Sequence, residues 1–163
     1  MHERPWILAA LVLCAPLFAC GEDGAGVPSV TVNEVVHSAM PLGSPDWVEL
    51  YNPGGSAVDL SGWKVLDEKD SHVFTFPSGT TITGKAFLVV EGEGGTGAYV
   101  ATFGWGTTDS ARLVDADGVL VDSTSWFPPA GVAGTSWGRH PDGTGEFATL
   151  SSPTPAAKNA QPL

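Results

Sequence analysis

The strongest constraint on the fold is how soon each apolar segment is stopped. Trp47-Val48-Glu49-Leu50-Tyr51 alternates, with Trp47, Glu49 and Tyr51 on one side and Val48 and Leu50 on the other. That period of two marks a strand. Asn52-Pro53-Gly54-Gly55 ends it, because Pro lacks a ladder N–H and Gly adopts turn geometries that other residues resist. The pattern repeats along the chain. Val32-Asn33-Glu34-Val35 precedes this segment and Asp59-Leu60-Ser61-Gly62-Trp63 follows it. Residues 73–76 stop at Pro77-Ser78-Gly79, and residues 86–91 form a continuous apolar run suited to a buried strand. Residues 91–97 are so Gly-rich that they predict an exposed loop. Residues 111–115 and 119–126 flank Ala116-Asp117-Gly118, whose Asp-Gly pair closes hairpins. Residues 135–139 and 147–150 flank Pro141-Asp142-Gly143. No apolar stripe at helical spacing appears past the first residues. With Gly 21 and Pro 13 in 163 residues, the spacing predicts an all-β sandwich. The expected count is about eight or nine short strands, with turns every ~8–12 residues.

The front of the chain reads differently. An apolar run extends from Trp6 to Phe18. It is shorter than the ~20 residues a membrane-spanning helix needs, and it has the length of a signal-peptide core. Its end, Leu17-Phe18-Ala19-Cys20, resembles a bacterial lipobox. The resemblance implies diacylglycerol on the Cys20 sulfur, cleavage before Cys20 and acylation of the freed amine. One acyl chain anchors weakly, at ~0.8 kcal/mol per buried CH₂, whereas several on one residue hold firmly. The expected division is a lipoprotein signal peptide over 1–19, a flexible tether over 20–29, and a β-sandwich domain over 30–163. The Pro- and Ala-rich tail of that domain would be a strap or a loose end. Gly21, rather than Asp, follows Cys20. By the resemblance to sorted bacterial lipoproteins, this implies a lipid-anchored place in the cell envelope, at the outer membrane or cell surface.

Cysteine and charge narrow the function. The chain has Cys 2; Cys14 lies inside the apolar run and would leave with it. Cys20 alone would remain, so no internal disulfide, zinc or redox motif is expected. The formal net charge is -11, and loss of Glu3 with Arg4 leaves it unchanged. Lys64, Lys69, Lys85, Arg112, Arg139 and Lys158 are scattered rather than clustered. Nucleic acid is therefore excluded as a partner. The membrane is expected to be contacted only through lipidated Cys20.

The opening strands resemble the start of the lamin tail domain. The likeness continues through Phe74-Thr75-Phe76-Pro77-Ser78-Gly79-Thr80-Thr81-Ile82, Ala86-Phe87-Leu88-Val89-Val90 and Arg112-Leu113-Val114-Asp115. It extends to Ser136-Trp137-Gly138-Arg139-His140-Pro141-Asp142-Gly143 and Ser152-Pro153-Thr154-Pro155, which match the bacterial branch's ending. The resemblance implies an immunoglobulin-like β-sandwich without enzymatic activity. Its relatives often share chains with nuclease or phosphoesterase domains, which implies an accessory role as one alternative.

Two groups of residues carry candidate chemistry. Glu34, Asp46, Glu49 and Asn52 combine carboxylates with an amide oxygen, a donor set suited to Ca²⁺. Against that, Asn52 could form its turn, Glu49 bond backbone, and Glu34 stay solvated. Asp115-Ala116-Asp117-Gly118 lacks the remaining acids of an EF-hand, and Lys69 within Asp67-Glu68-Lys69-Asp70 opposes a cation. Trp105 and Trp126 lie near Gly- and Pro-rich loops, where an exposed indole would stack on a sugar ring or a peptide. The competing expectation is that they plug the sandwich ends, with Trp63 as a further core aromatic. His37, His72 and His140 lack metal-ligand spacing, and no nucleophile elbow or paired-acid arrangement is evident. The expected function is a non-enzymatic, lipid-anchored binding or structural module. The alternatives are a Ca²⁺- or carbohydrate-binding surface module, or an accessory to a secreted nuclease or phosphoesterase. The partner, protein or glycan, is not named by any motif.

Overall fold

The computed structural model describes residues 30–37, 45–127 and 133–163. The expected signal, Cys20 and the tether lie outside these residues. The strands are β1 (Thr31–Val36), β2 (Trp47–Tyr51), β3 (Val58–Asp59), β4 (Lys64–Leu66), β5 (Val73–Thr75) and β6 (Thr81–Ile82). They continue with β7 (Phe87–Glu91), β8 (Asp109–Val114), β9 (Leu120–Trp126), β10 (Ser136–His140) and β11 (Glu146–Leu150). No helix of the described residues is long and apolar enough to cross a membrane.

A five-stranded sheet ordered β11-β10-β1-β2-β7 faces a four-stranded sheet ordered β5-β4-β8-β9, and β3 pairs with β6 in a separate ladder. All these pairings are antiparallel. The fold is the expected all-β, immunoglobulin-like sandwich. The strand count exceeds eight or nine because the turn-rich stretch between β2 and β7 forms the two-residue β3–β6 ladder as well as the β4–β5 pair.

Register sets which side chains enter the core. Val35 pairs with Val48 and Val48 with Val90, and all three are fully buried between the sheets. Ala111 and Leu113 of β8 meet them from the opposite sheet. Ser110 and Arg112 alternate with them and stay partly exposed, as the pleat requires. Phe76, Trp105 and Trp126 are the largest fully buried side chains. Phe74, Phe76 and Tyr99 meet edge to face at 5.0 to 6.3 Å between centroids, the geometry that ring quadrupoles favour. The β8–β9 hairpin turns on Gly118 at φ 86, with Asp115 Oδ1 accepting from the N–H of Asp117 and of Val119.

One irregularity places the central polar residues. β1 pairs Val32 with Leu50 and Glu34 with Glu49, so Asn33 is the extra residue of a bulge. A bulge puts two consecutive side chains on one side, here Asn33 and Glu34. Both lie on the face of the sheet away from the core, with Glu49. That face is covered by the C-terminal residues 151–163. Ser151 N–H donates to Gln161 O, Leu163 N–H donates to Thr149 O, and Leu150 bridges Pro162. The tail is thus a strap.

Candidate functional site

Glu34 and Glu49 stand opposite each other on β1 and β2, and both have 0% of their surface exposed. Glu34 was expected to be solvated, and it is not. Two buried carboxylates side by side would repel unless donors surround them. The strap supplies most of these. Thr154 donates its backbone N–H to both Glu34 oxygens at 3.2 Å and its hydroxyl to Oε2 at 2.9 Å. The Ser136 hydroxyl donates to Glu34 Oε1. Glu49 Oε2 accepts from Ala156 N–H at 2.6 Å, and Oε1 from Asn33 Nδ2 at 3.1 Å.

Asn33 and Asn159 knit this layer together. Asn33 Oδ1 accepts from Gly143 N–H at 3.0 Å, and its Nδ2 also reaches Asp142 Oδ1 at 3.1 Å. Asn159 donates its N–H to the same Asp142 oxygen at 3.0 Å, and its Nδ2 to Asn33 O and Arg139 O. Burial raises the Glu34 carboxyl above its ordinary range, against the lowering pull of Ser136 and Thr154. Burial pushes Glu49 up to about 8, opposed by its bonds to Asn33 and Ala156 and reinforced by nearby Glu34 and Asp142.

The calcium donors do not converge. Asp46 and Asn52 flank opposite ends of β2, about 20 Å apart at ~3.3 Å per residue. Asp46 Oδ2 accepts from Trp105 N–H at 3.0 Å, and burial raises its carboxyl, with Asp109 adding to the effect. Asn52 holds its turn: Oδ1 accepts from Gly54 N–H at 2.9 Å, and Nδ2 donates to Ser56 O and Ile82 O. Among the described residues no group of three or more His, Cys, Asp or Glu is placed to hold a metal ion.

The indoles weighed as exposed platforms are core residues, in line with the competing expectation that they plug the sandwich. Trp105 is 0% exposed and Trp126 is 2% exposed. Trp126 donates Nε1–H to Gly106 O at 2.9 Å and stacks on His37 with 5.5 Å between centroids. Trp105 packs edge-on against Phe103 at 5.3 Å. Gly104 and Gly106 flank Trp105, yet both rings turn inward because burying so large an apolar surface outweighs the loop setting. Trp63, expected in the core, is only half-buried at its rim.

A second half-exposed indole is Trp137. It packs beside Phe147 at 6.0 Å and 17°, with the Arg139 guanidinium 4.4 Å from the other ring's centroid. Arg139 forks onto both Asp122 oxygens at 3.0 Å and donates Nε–H to Val32 O, tying β10 to β9 and β1. The sequence did carry a signal for Trp137: it alternates with Ser136 and Gly138, both buried.

Together these features define a sandwich whose central acids brace a third layer of chain rather than open onto a cleft. It is a scaffold domain of immunoglobulin type. The family model described as Lamin Tail Domain matches residues 24–128, and the chain belongs to that family of non-catalytic immunoglobulin-like domains. β10, β11 and the strap lie beyond the matched residues. No curated protein matches the chain.

Proposed function

We propose that this chain is a non-catalytic module held at the cell envelope by lipid on Cys20, outside the cytoplasmic membrane, and that it acts by binding. The observation that carries the non-catalytic part is the fate of the opening run. Glu34 and Glu49 are buried, and every one of their oxygens accepts a hydrogen bond from the scaffold or the strap. Acids so engaged hold the fold and have no access to a substrate. The anchor is supported by Leu17-Phe18-Ala19-Cys20 at the end of the apolar run, followed by a Gly-rich stretch that would set the domain off the membrane surface. An outer-membrane or surface destination follows from Gly21.

The test is Cys20→Ala in the full chain. The unaltered protein should partition with membranes and carry the added mass of its acyl chains. The variant should appear in the soluble fraction, or remain unprocessed. Identical partitioning and mass for both forms would remove the anchor from the proposal.

A further inference from the structure

The two sheets do not end together. The four-stranded sheet stops at β9, while β10 and β11 continue the five-stranded sheet on that side. Trp137 of β10 donates Nε1–H to Thr124 Oγ1 of β9 at 3.0 Å, joining the overhang to the free edge. A groove of about 470 Å³ runs along this junction, within the ~300–1,000 Å³ typical of small-molecule sites. Its two walls differ. Ser110 and Arg112 of β8 and Ser123 and Ser125 of β9 form one, a surface rich in hydroxyls. Trp137 and Phe147 form the other, an apolar pair of stacked rings.

Arg112 turns its guanidinium away from the β9 edge, toward the Asp67–Asp70 turn that follows β4. Its Nε–H donates to Asp67 O at 2.8 Å and its Nη1 to Asp70 Oδ1 at 2.8 Å, but Nη2 is buried with no hydrogen-bond partner among the described residues. Charge excludes other ligands. Arg112 is already paired with Asp70, Glu146 lines the same groove, and the chain carries a net charge of -11, so an anionic ligand would be repelled. A purely apolar ligand would strand the hydroxyl wall without partners. A sugar ring has an apolar C–H face for the aromatic wall and hydroxyls for the polar one.

The geometry points to a binding site for a neutral oligosaccharide in the groove between the β9 edge and the β10–β11 overhang. It rests on the binding-module proposal above and gives that module its ligand class. The test is calorimetric titration of the full chain with neutral cello-, xylo-, malto- and N-acetylchito-oligosaccharides, beside an acidic oligogalacturonide and an unstructured peptide. Saturable heats with at least one neutral oligosaccharide are expected. Ser123→Trp and Ser125→Trp place indoles in the groove from exposed positions, and each should weaken that binding about tenfold or more without shifting the thermal midpoint. Flat heats with every neutral sugar, undiminished binding by both variants, or preference for the acidic sugar or the peptide would overturn the site. A chain that still fractionates with membranes through Cys20 but gives flat heats would fail here alone, leaving the anchored module standing.

Discussion

The two faces of the β10–β11 hairpin are treated in opposite ways. On the face toward the strap, Gly138 leaves no room: a Cβ there would lie 2.7 Å from Leu150 Cδ1 and 2.9 Å from Asn159 Nδ2. The carboxylates and amides of that layer are matched, from Thr154 on Glu34 to Asn159 on Asp142. On the other face, Trp137 and Phe147 reach past the edge of the facing sheet and are only half covered. The difference teaches where a rigid scaffold leaves freedom. Closure is spent on the face with ionisable groups, because a buried carboxylate tolerates no gap in its donors. The face lined by hydroxyls and rings can remain open to solvent.

The largest effect should come from removing the closed face's lid. A chain ending at Ser152 loses the N–H and hydroxyl donors of Thr154, the N–H of Ala156 and both donors of Asn159. At about 1 kcal/mol for each neutral bond and about 1.5–3 kcal/mol for each bond to a charged group, the loss approaches the whole stability of a domain, about 5–15 kcal/mol. Thermal melting by circular dichroism should show either no cooperative transition or a midpoint lowered by tens of degrees. A melt matching the full chain would mean that the strap decorates the sheet without supporting it.

Next in size are the buried indoles. Trp126→Ala should cost about 3–5 kcal/mol through the cavity it leaves, and it also strands the Gly106 carbonyl. Trp63→Ala at the half-exposed rim should cost clearly less. Denaturant titration orders the two, and equal losses would contradict the placement of Trp63 at the edge of the core.

The acid pair makes the closed face sensitive to pH. A carboxyl whose folded value is raised binds its proton more tightly in the folded state than in the unfolded one. Its contribution to stability is therefore complete below the ordinary value of 4.5 and is lost as pH rises toward about 8. Glu34, also raised, acts with the same sign. The thermal midpoint should fall by several degrees across that window. Glu49→Gln carries no titrating proton, so its midpoint should fall less over the same range. Parallel pH profiles for the two proteins would place the dependence on other groups.

Much of the sandwich is legible in short-range pattern. The alternation in Trp47–Tyr51 and the turn held by Asn52 both rest on residues adjacent in sequence, and the structure reproduces them. The Asp-Gly turn before β9 is local in the same way. The fate of Glu34 is not legible, because its donors on Thr154 lie 120 residues away. An acid on an alternating strand reads as solvent-facing unless that distant partner is known. Glu49 was read correctly as a backbone acceptor, yet the acceptor's partner, Ala156, again belongs to the strap. Trp105 and Trp126 leave two readings open for a related reason. Neighbouring Gly residues mark a turn-rich path beside Trp105, whereas burial of the Trp126 ring depends on His37, brought near by tertiary packing.

The smallest predicted effect separates the two faces within neighbouring residues of one strand. Along β9, Ser123 and Ser125 are exposed on the groove wall while Thr124 between them is buried. Thr124 Oγ1 accepts the Trp137 indole N–H at 3.0 Å, so Thr124→Val keeps the shape and removes the acceptor. That change should cost about 1–2 kcal/mol, the range for a part-buried donor left unmet. Ser123→Val and Ser125→Val lose no recorded partner and gain a residue suited to strands, so each should alter stability by less than about 0.5 kcal/mol. Urea titration of the three variants resolves the contrast. If the serine variants were as destabilised as Thr124→Val, the groove wall would be a bonded part of the fold, and the distinction between a closed face and an open one would collapse.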